Sequence, residues 1–142
     1  MAINIEGYNA VEIGRTVRFS KTIAESDVYG FAGITGDFSP NHINEEYMKT
    51  TRYGRRIVHG ALAIGFMSTA SSKILEGIPG PRVSYGYDRV RLIKPIFIGD
   101  TITVEYTIEG KVPEKYELLS KVTVTNQRGE LCAVATHILR YV

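Results

Sequence analysis

Asp37 and His42 are the residues of this chain whose types and spacing best suit chemistry. They stand in the run Gly36-Asp37-Phe38-Ser39-Pro40-Asn41-His42, with a carboxylate and an imidazole five positions apart and a proline between them. The proline predicts that the stretch does not continue as a helix. If both side chains face one pocket, they form a proton-handling pair that can position a water and move its protons. The competing reading is local. An Asp just after a helix and a His in a loop often only satisfy neighbouring backbone groups.

A second constellation is His59-Gly60, at the start of the apolar run Ala61-Leu62-Ala63-Ile64-Gly65-Phe66-Met67-Ser68-Thr69-Ala70. A helix N-terminus presents unpaired N–H groups and partial positive charge. Gly60 has no side chain to block approach, so its N–H can donate to a substrate carbonyl oxygen and stabilise an enolate-like charge. Alternatively, Gly60 only lets the helix pack closely against a neighbour. Ser68 lies eight residues further on, about two turns along nearly the same face. It either lines the same pocket or bonds back to its own helix.

Other chemistries find less support. There is no Gly-x-Ser-x-Gly elbow for a serine hydrolase. Gly77 and Gly80 make neither a dinucleotide fingerprint nor a phosphate loop. Asp37, His42, His59 and His137 offer metal ligands, but no compact two-histidine helical motif gathers them, and no metal is expected. Cys132 is the single cysteine, which rules out an internal disulfide and any cysteine-built zinc site. It sits in a strand-like run and reads as core rather than nucleophile. One cysteine fits a reducing cytoplasm. The net charge of +2 gives no reason to expect a nucleic-acid partner, though it suits an anionic small molecule. No run reaches the roughly 18 apolar residues needed to span a bilayer, and the first residues lack a basic region followed by an apolar one, so neither membrane nor secretion is expected.

The elements that must position these residues divide the chain into two textures. At 142 residues it reads as one domain. The first dozen residues look like an arm without periodicity. A strand is predicted from Thr16 to Thr22, with Val17, Phe19 and Lys21 on one face. A helix follows over about Glu25 to Thr35, begun by Ser26 or Asp27 and stopped by Gly36. Asp37 to His42 reads as a loop, and Asn44 as the cap of a short helix over Glu45 to about Thr51. The apolar helix from Gly60 is expected to reach about Leu75 or Glu76, with its early turns buried all round. Gly77, Pro79, Gly80 and Pro81 then break the chain. Beyond them, Val83–Leu92, Thr101–Val112, Tyr116–Asn126 and Leu131–Tyr141 are rich in Val, Ile, Thr and Tyr and read as half-buried antiparallel strands. Helices early and strands late predict an α+β fold, with a sheet wrapped around the apolar helix. The exposed edges of such a sheet predict pairing with a second copy.

The stretch from Phe31 to Asn44 resembles the hydratase signature of the MaoC-like, (R)-specific enoyl-CoA hydratases, with Gly-Asp, then Pro, then His at matching steps. Ile57-Val58-His59-Gly60 is similar to the start of that family's central helix, and Lys94-Pro95-Ile96-Phe97-Ile98-Gly99-Asp100 to one of its strand connections. Ser39 and Asn44 stand where the signature usually carries Asn and Asp. The resemblance implies a hot-dog fold, an antiparallel sheet around a central helix, and a homodimer or higher homo-oligomer. It implies hydration of a trans-2-enoyl-CoA to an (R)-3-hydroxyacyl-CoA, or the reverse dehydration. Asp37 and His42 would then be catalytic, with Gly60 and Ser68 binding substrate. No cofactor is implied beyond the coenzyme A of the acyl-CoA substrate itself. An acyl-carrier-protein dehydratase and a silent acyl-thioester-binding subunit are the alternatives. A hot-dog thioesterase fits this loop less well. Arg55, Arg56, Arg89, Arg91 and Lys94 are available for coenzyme A phosphates, although each reads first as a solvated charge.

Overall fold

The computed structural model describes residues 2–142. Its frame is one antiparallel sheet of β1 (Thr16–Thr22), β2 (Arg82–Leu92), β3 (Thr101–Val112), β4 (Glu117–Thr125) and β5 (Leu131–Tyr141). The spatial order is β1-β3-β4-β5-β2, so β1 and β2 are the edges. Alternation produces the core. Ile102, Val104, Tyr106 and Ile108 on β3 are fully buried, while the threonines and Glu105 between them point the other way. Val17, Phe19 and Lys21 share one face of β1, as the sequence predicts.

Five α-helical segments complete the fold among the described residues: α1 (Ile5–Ala10), α2 (Glu25–Thr35), α3 (Pro40–Ile43), α4 (Glu45–Met48) and α5 (Gly60–Lys73). α5 packs against all five strands. Strands stand about 4.8 Å apart and a helix is about 10 Å wide, so contact with five of them requires the sheet to curl around it. The fold is α+β, as predicted. Ala63, Met67 and Ala70 form the buried stripe of α5, but Ala61, Gly65, Ser68 and Thr69 are exposed. The early turns are therefore not buried all round in a single copy. Only one side of the helix meets the sheet, and the other carries small residues.

Two further departures have local causes. The arm expected at the start of the chain carries a helix, α1, within residues 2–12. Asn4 caps α1 by accepting from the Gly7 N–H at 2.7 Å. Tyr8, 3% exposed, anchors it by donating to the Glu117 carbonyl at 3.2 Å. Likewise the Asp37–His42 stretch is not loop throughout. Pro40 opens a helical turn, because its fixed φ and missing N–H suit a first helical position.

A polar strip crosses the otherwise apolar interior. Tyr87, His137 and Ser120 are register neighbours on β2, β5 and β4. The His137 ring, with no exposed surface, has Nδ1 2.7 Å from Tyr106 Oη and Nε2 2.7 Å from Ser84 Oγ. Burial pushes its pKa down from 6.5 to about 4.

Candidate active site

The site begins where α2 ends. Gly36 takes a left-handed φ of 80° and donates to the Ala32 carbonyl at 2.8 Å, which stops the helix and turns the chain outward. The exposed Asp37 follows, its Oδ1 accepting from the Ser39 N–H at 3.2 Å. α3 then carries His42, 9% exposed, with Nδ1 2.7 Å from the Ile57 carbonyl. A carbonyl only accepts, so Nδ1 bears a hydrogen and Nε2 is the ring nitrogen not engaged by that bond. Ile57 in turn donates to the Asn41 carbonyl at 2.9 Å, locking the returning chain against α3. Asn44 accepts from the Tyr47 N–H at 3.0 Å, so it caps α4 as the Asp usual at this position can.

The returning chain delivers His59 and Gly60 at the start of α5. His59 Nε2 lies 3.0 Å from the Asp37 carbonyl oxygen, and its ring stacks on that of His42 with centroids 3.8 Å apart and planes 26° apart. One carboxylate oxygen of Asp37 and one ring nitrogen each of His42 and His59 all lie within 4.8 Å of one another. Such a trio suggests a metal cage, but the stacked rings send their lone pairs along nearly parallel planes rather than toward one point. His42 Nδ1 and His59 Nε2 are also already engaged by carbonyls.

A cavity of about 310 Å³ adjoins this cluster, lined by His42, His59, Gly60, Ala63, Leu92 and Cys132 among others. Gly60 is the first residue of α5, so its N–H has no intrahelical acceptor. It also sits against Leu92: a Cβ here would lie 2.2 Å from Leu92 Cδ1, which is the close packing that one sequence reading of this glycine expects. Cys132 is 1% exposed and burial raises its thiol pKa, as suits a core residue. Asp37 is outside the cavity lining and meets the site through the cluster.

Ser68 is placed elsewhere. It lies in a separate depression with Ser71, Ser72, Arg82 and Ser84, and its carbonyl accepts from the Ser71 hydroxyl at 2.7 Å. Two helical turns carry it about 12 Å from Gly60 along the axis. Arg56 is occupied by Glu25, Glu45 and the Tyr29 hydroxyl, and Lys94 by Glu130. Arg55 lies over the Phe97 ring, 3.9 Å from its centroid. In the sequence reading the His59 imidazole figures only among the metal ligands on offer, not in the proton-handling site. Its position just before Gly60 is the only sequence signal for it.

A family model described as a MaoC like domain matches residues 9–130. The chain belongs to the MaoC-like family. A relative named (R)-specific enoyl-CoA hydratase, from Rhodospirillum rubrum, is 39% identical over 83% of this chain and 80% of its own length. A 3-hydroxybutyryl-CoA dehydratase of Methylorubrum extorquens is 35% identical over 76% of this chain and 67% of its own. Among solved structures, an (R)-hydratase of Aeromonas caviae involved in PHA biosynthesis superposes with a TM-score of 0.85 at 26% identity, covering 94% of this chain and 98% of that one. The sheet curled around α5 is the hot-dog fold.

Proposed function

We propose that this protein is a hydro-lyase that adds water to trans-2-enoyl-CoA to give (R)-3-hydroxyacyl-CoA, or runs the reverse dehydration. The observation that carries this reading is the placement of the Asp37 carboxylate within 4.8 Å of a His42 ring nitrogen, beside the N-terminus of α5. Two hydrogen bonds of about 2.8 Å meeting at a tetrahedral angle span about 4.6 Å. One water therefore fits between the two groups, donating one hydrogen to Asp37 and the other to His42 Nε2. Its lone pairs are then free to face the substrate.

The steps follow from that arrangement. The Gly60 N–H and the positive end of α5 polarise the thioester carbonyl and make C3 electrophilic. Asp37 takes a proton from the water as its oxygen bonds to C3. The electron pair of the C2=C3 bond moves to form an enolate, whose oxygen Gly60 holds. Asp37 then returns its proton to C2. His42 orients the water throughout. The scheme uses no metal and no redox cofactor, and coenzyme A enters only as part of the substrate.

The working form is proposed to be a homodimer in a reducing cytoplasm. The reading is tested with purified protein and crotonyl-CoA, following loss of the enoyl absorbance and resolving the product on a chiral column. Consumption with the (R) product is expected. No turnover with any short or medium enoyl-CoA or enoyl-carrier-protein substrate would sink it, and release of free thiol from acyl-CoA would point to a thioesterase.

A further inference from the structure

We infer that His59 is a positioning residue, its imidazole holding the Asp37 main chain and the His42 ring in a fixed relation to the Gly60 N–H. The kinetic consequence rests on the hydration reading above, whereas the geometry does not.

The protonation state of His59 follows from its partners. Nε2 faces the Asp37 carbonyl at 3.0 Å, and a carbonyl cannot donate, so Nε2 bears the hydrogen. Nδ1 is buried and meets no acceptor. A second hydrogen there would create a buried charged ring with an unsatisfied donor, directly against His42. His59 is therefore the neutral Nε2–H tautomer, the opposite of His42, whose Nδ1 donates to Ile57.

Three constraints meet on this ring. Its hydrogen bond fixes the carbonyl of Asp37, hence the origin of the carboxylate. Its face covers His42, which is already pinned at Nδ1. One contact sets the tilt of the His42 ring and the other its rotation, so the direction of Nε2 is determined. Phe31, on α2, also packs on His59, with centroids 4.8 Å apart and planes tilted by 58°. The backbone of His59 is also the residue from which α5 starts. The ring is only 2% exposed, so it offers almost no surface to a substrate. Its influence is through the groups it holds.

One measurement tests the geometry, and a second separates a positioning residue from one that merely fills the core. The chain has three histidines, so ¹⁵N spectra of the histidine-labelled wild-type protein at pH 7 are simple to assign. His59 should show a protonated Nε2 and bare Nδ1, and His42 the reverse. A His59 protonated at Nδ1, or at both nitrogens, overturns the inference. The second measurement separates the ring from its donor with crotonyl-CoA as substrate. His59→Phe keeps an aromatic face and loses the donor, whereas His59→Gln keeps an amide donor near the Nε2 position. His59→Phe should lose about 10²-fold in kcat, the scale of a small misplacement of reacting groups, with KM changed only a few-fold. His59→Gln should recover part of that loss. Wild-type kcat in His59→Phe, a loss confined to KM, or equal rates in the two variants would overturn it. If His59→Phe does not fold, the spectra of the wild-type protein decide. If wild-type protein turns over no enoyl thioester, the hydration reading fails, and the spectra still decide the geometry.

Discussion

An exposed aspartate and a nearly buried histidine divide the work at this site, and their surroundings predict different consequences of removing them. Asp37 side-chain contacts are few: its Oδ1 accepts from the Ser39 N–H and little else holds it. Asp37→Ala should lose the proton carrier, an effect of about 10²–10⁴-fold in kcat, with an unchanged denaturation midpoint. His42→Ala should lose comparable activity and also cost about 1 kcal/mol of stability, the usual worth of a side-chain hydrogen bond such as the one to Ile57. Near-wild-type rates in both variants would show that the pair is not the reacting one. Comparing urea midpoints with rates across the two variants separates the contributions.

At the scale of elements, the long strands were readable because period-two patterning survives folding: the alternation of Thr101 to Ile108 is the burial pattern of β3 itself. Gly36 was readable as a stop because its φ of 80° is one that glycine adopts at little cost. α1 and α3 were not. Their existence depends on a distant anchor for Tyr8 and on Pro40 starting a turn rather than ending one. Sequence spacing was enough to suggest that Asp37 and His42 meet, because they stand only five positions apart. It could not show that His59, seventeen residues beyond His42, returns to stack on it. Nor could it show that Ser68, on nearly the same helical face as Gly60, opens into a different depression. The edge strand β2 supports a prediction of its own. It exposes Val83 and Tyr85 beside an unpaired backbone, the kind of edge that pairs with another chain. Sedimentation velocity should find twice the mass of the chain, and a Val83→Lys, Tyr85→Lys double variant should shift the species toward one copy. A wild-type monomer at micromolar concentration would reject the homodimer.

For the molecule as a whole, the buried strip around His137 couples stability to pH. The unfolded chain binds a proton there below 6.5, and the folded protein only below about 4. Between those values the unfolded state holds more protons, so stability falls as pH drops through the window and is fully present above 6.5. From pH 7.5 to 5 the loss attributable to this ring is about 2 kcal/mol. Glu130, held down to about 2 by Lys94, Asn126 and Arg128, does not titrate in that range. Urea midpoints at the two pH values should drop less for His137→Gln than for wild type; equal drops would show that His137 does not set the slope. A different global property follows from Arg56, which ties Glu25 on α2 to Glu45 on α4 while Asn41, His42 and Asp37 are bonded to Ile57 and His59. These links close residues 37–59 on themselves, so amide hydrogen exchange should find the segment opening as one cooperative unit rather than fraying residue by residue. The fraction of molecules competent at any instant is then set partly by an ion-paired arginine that touches none of the reacting groups.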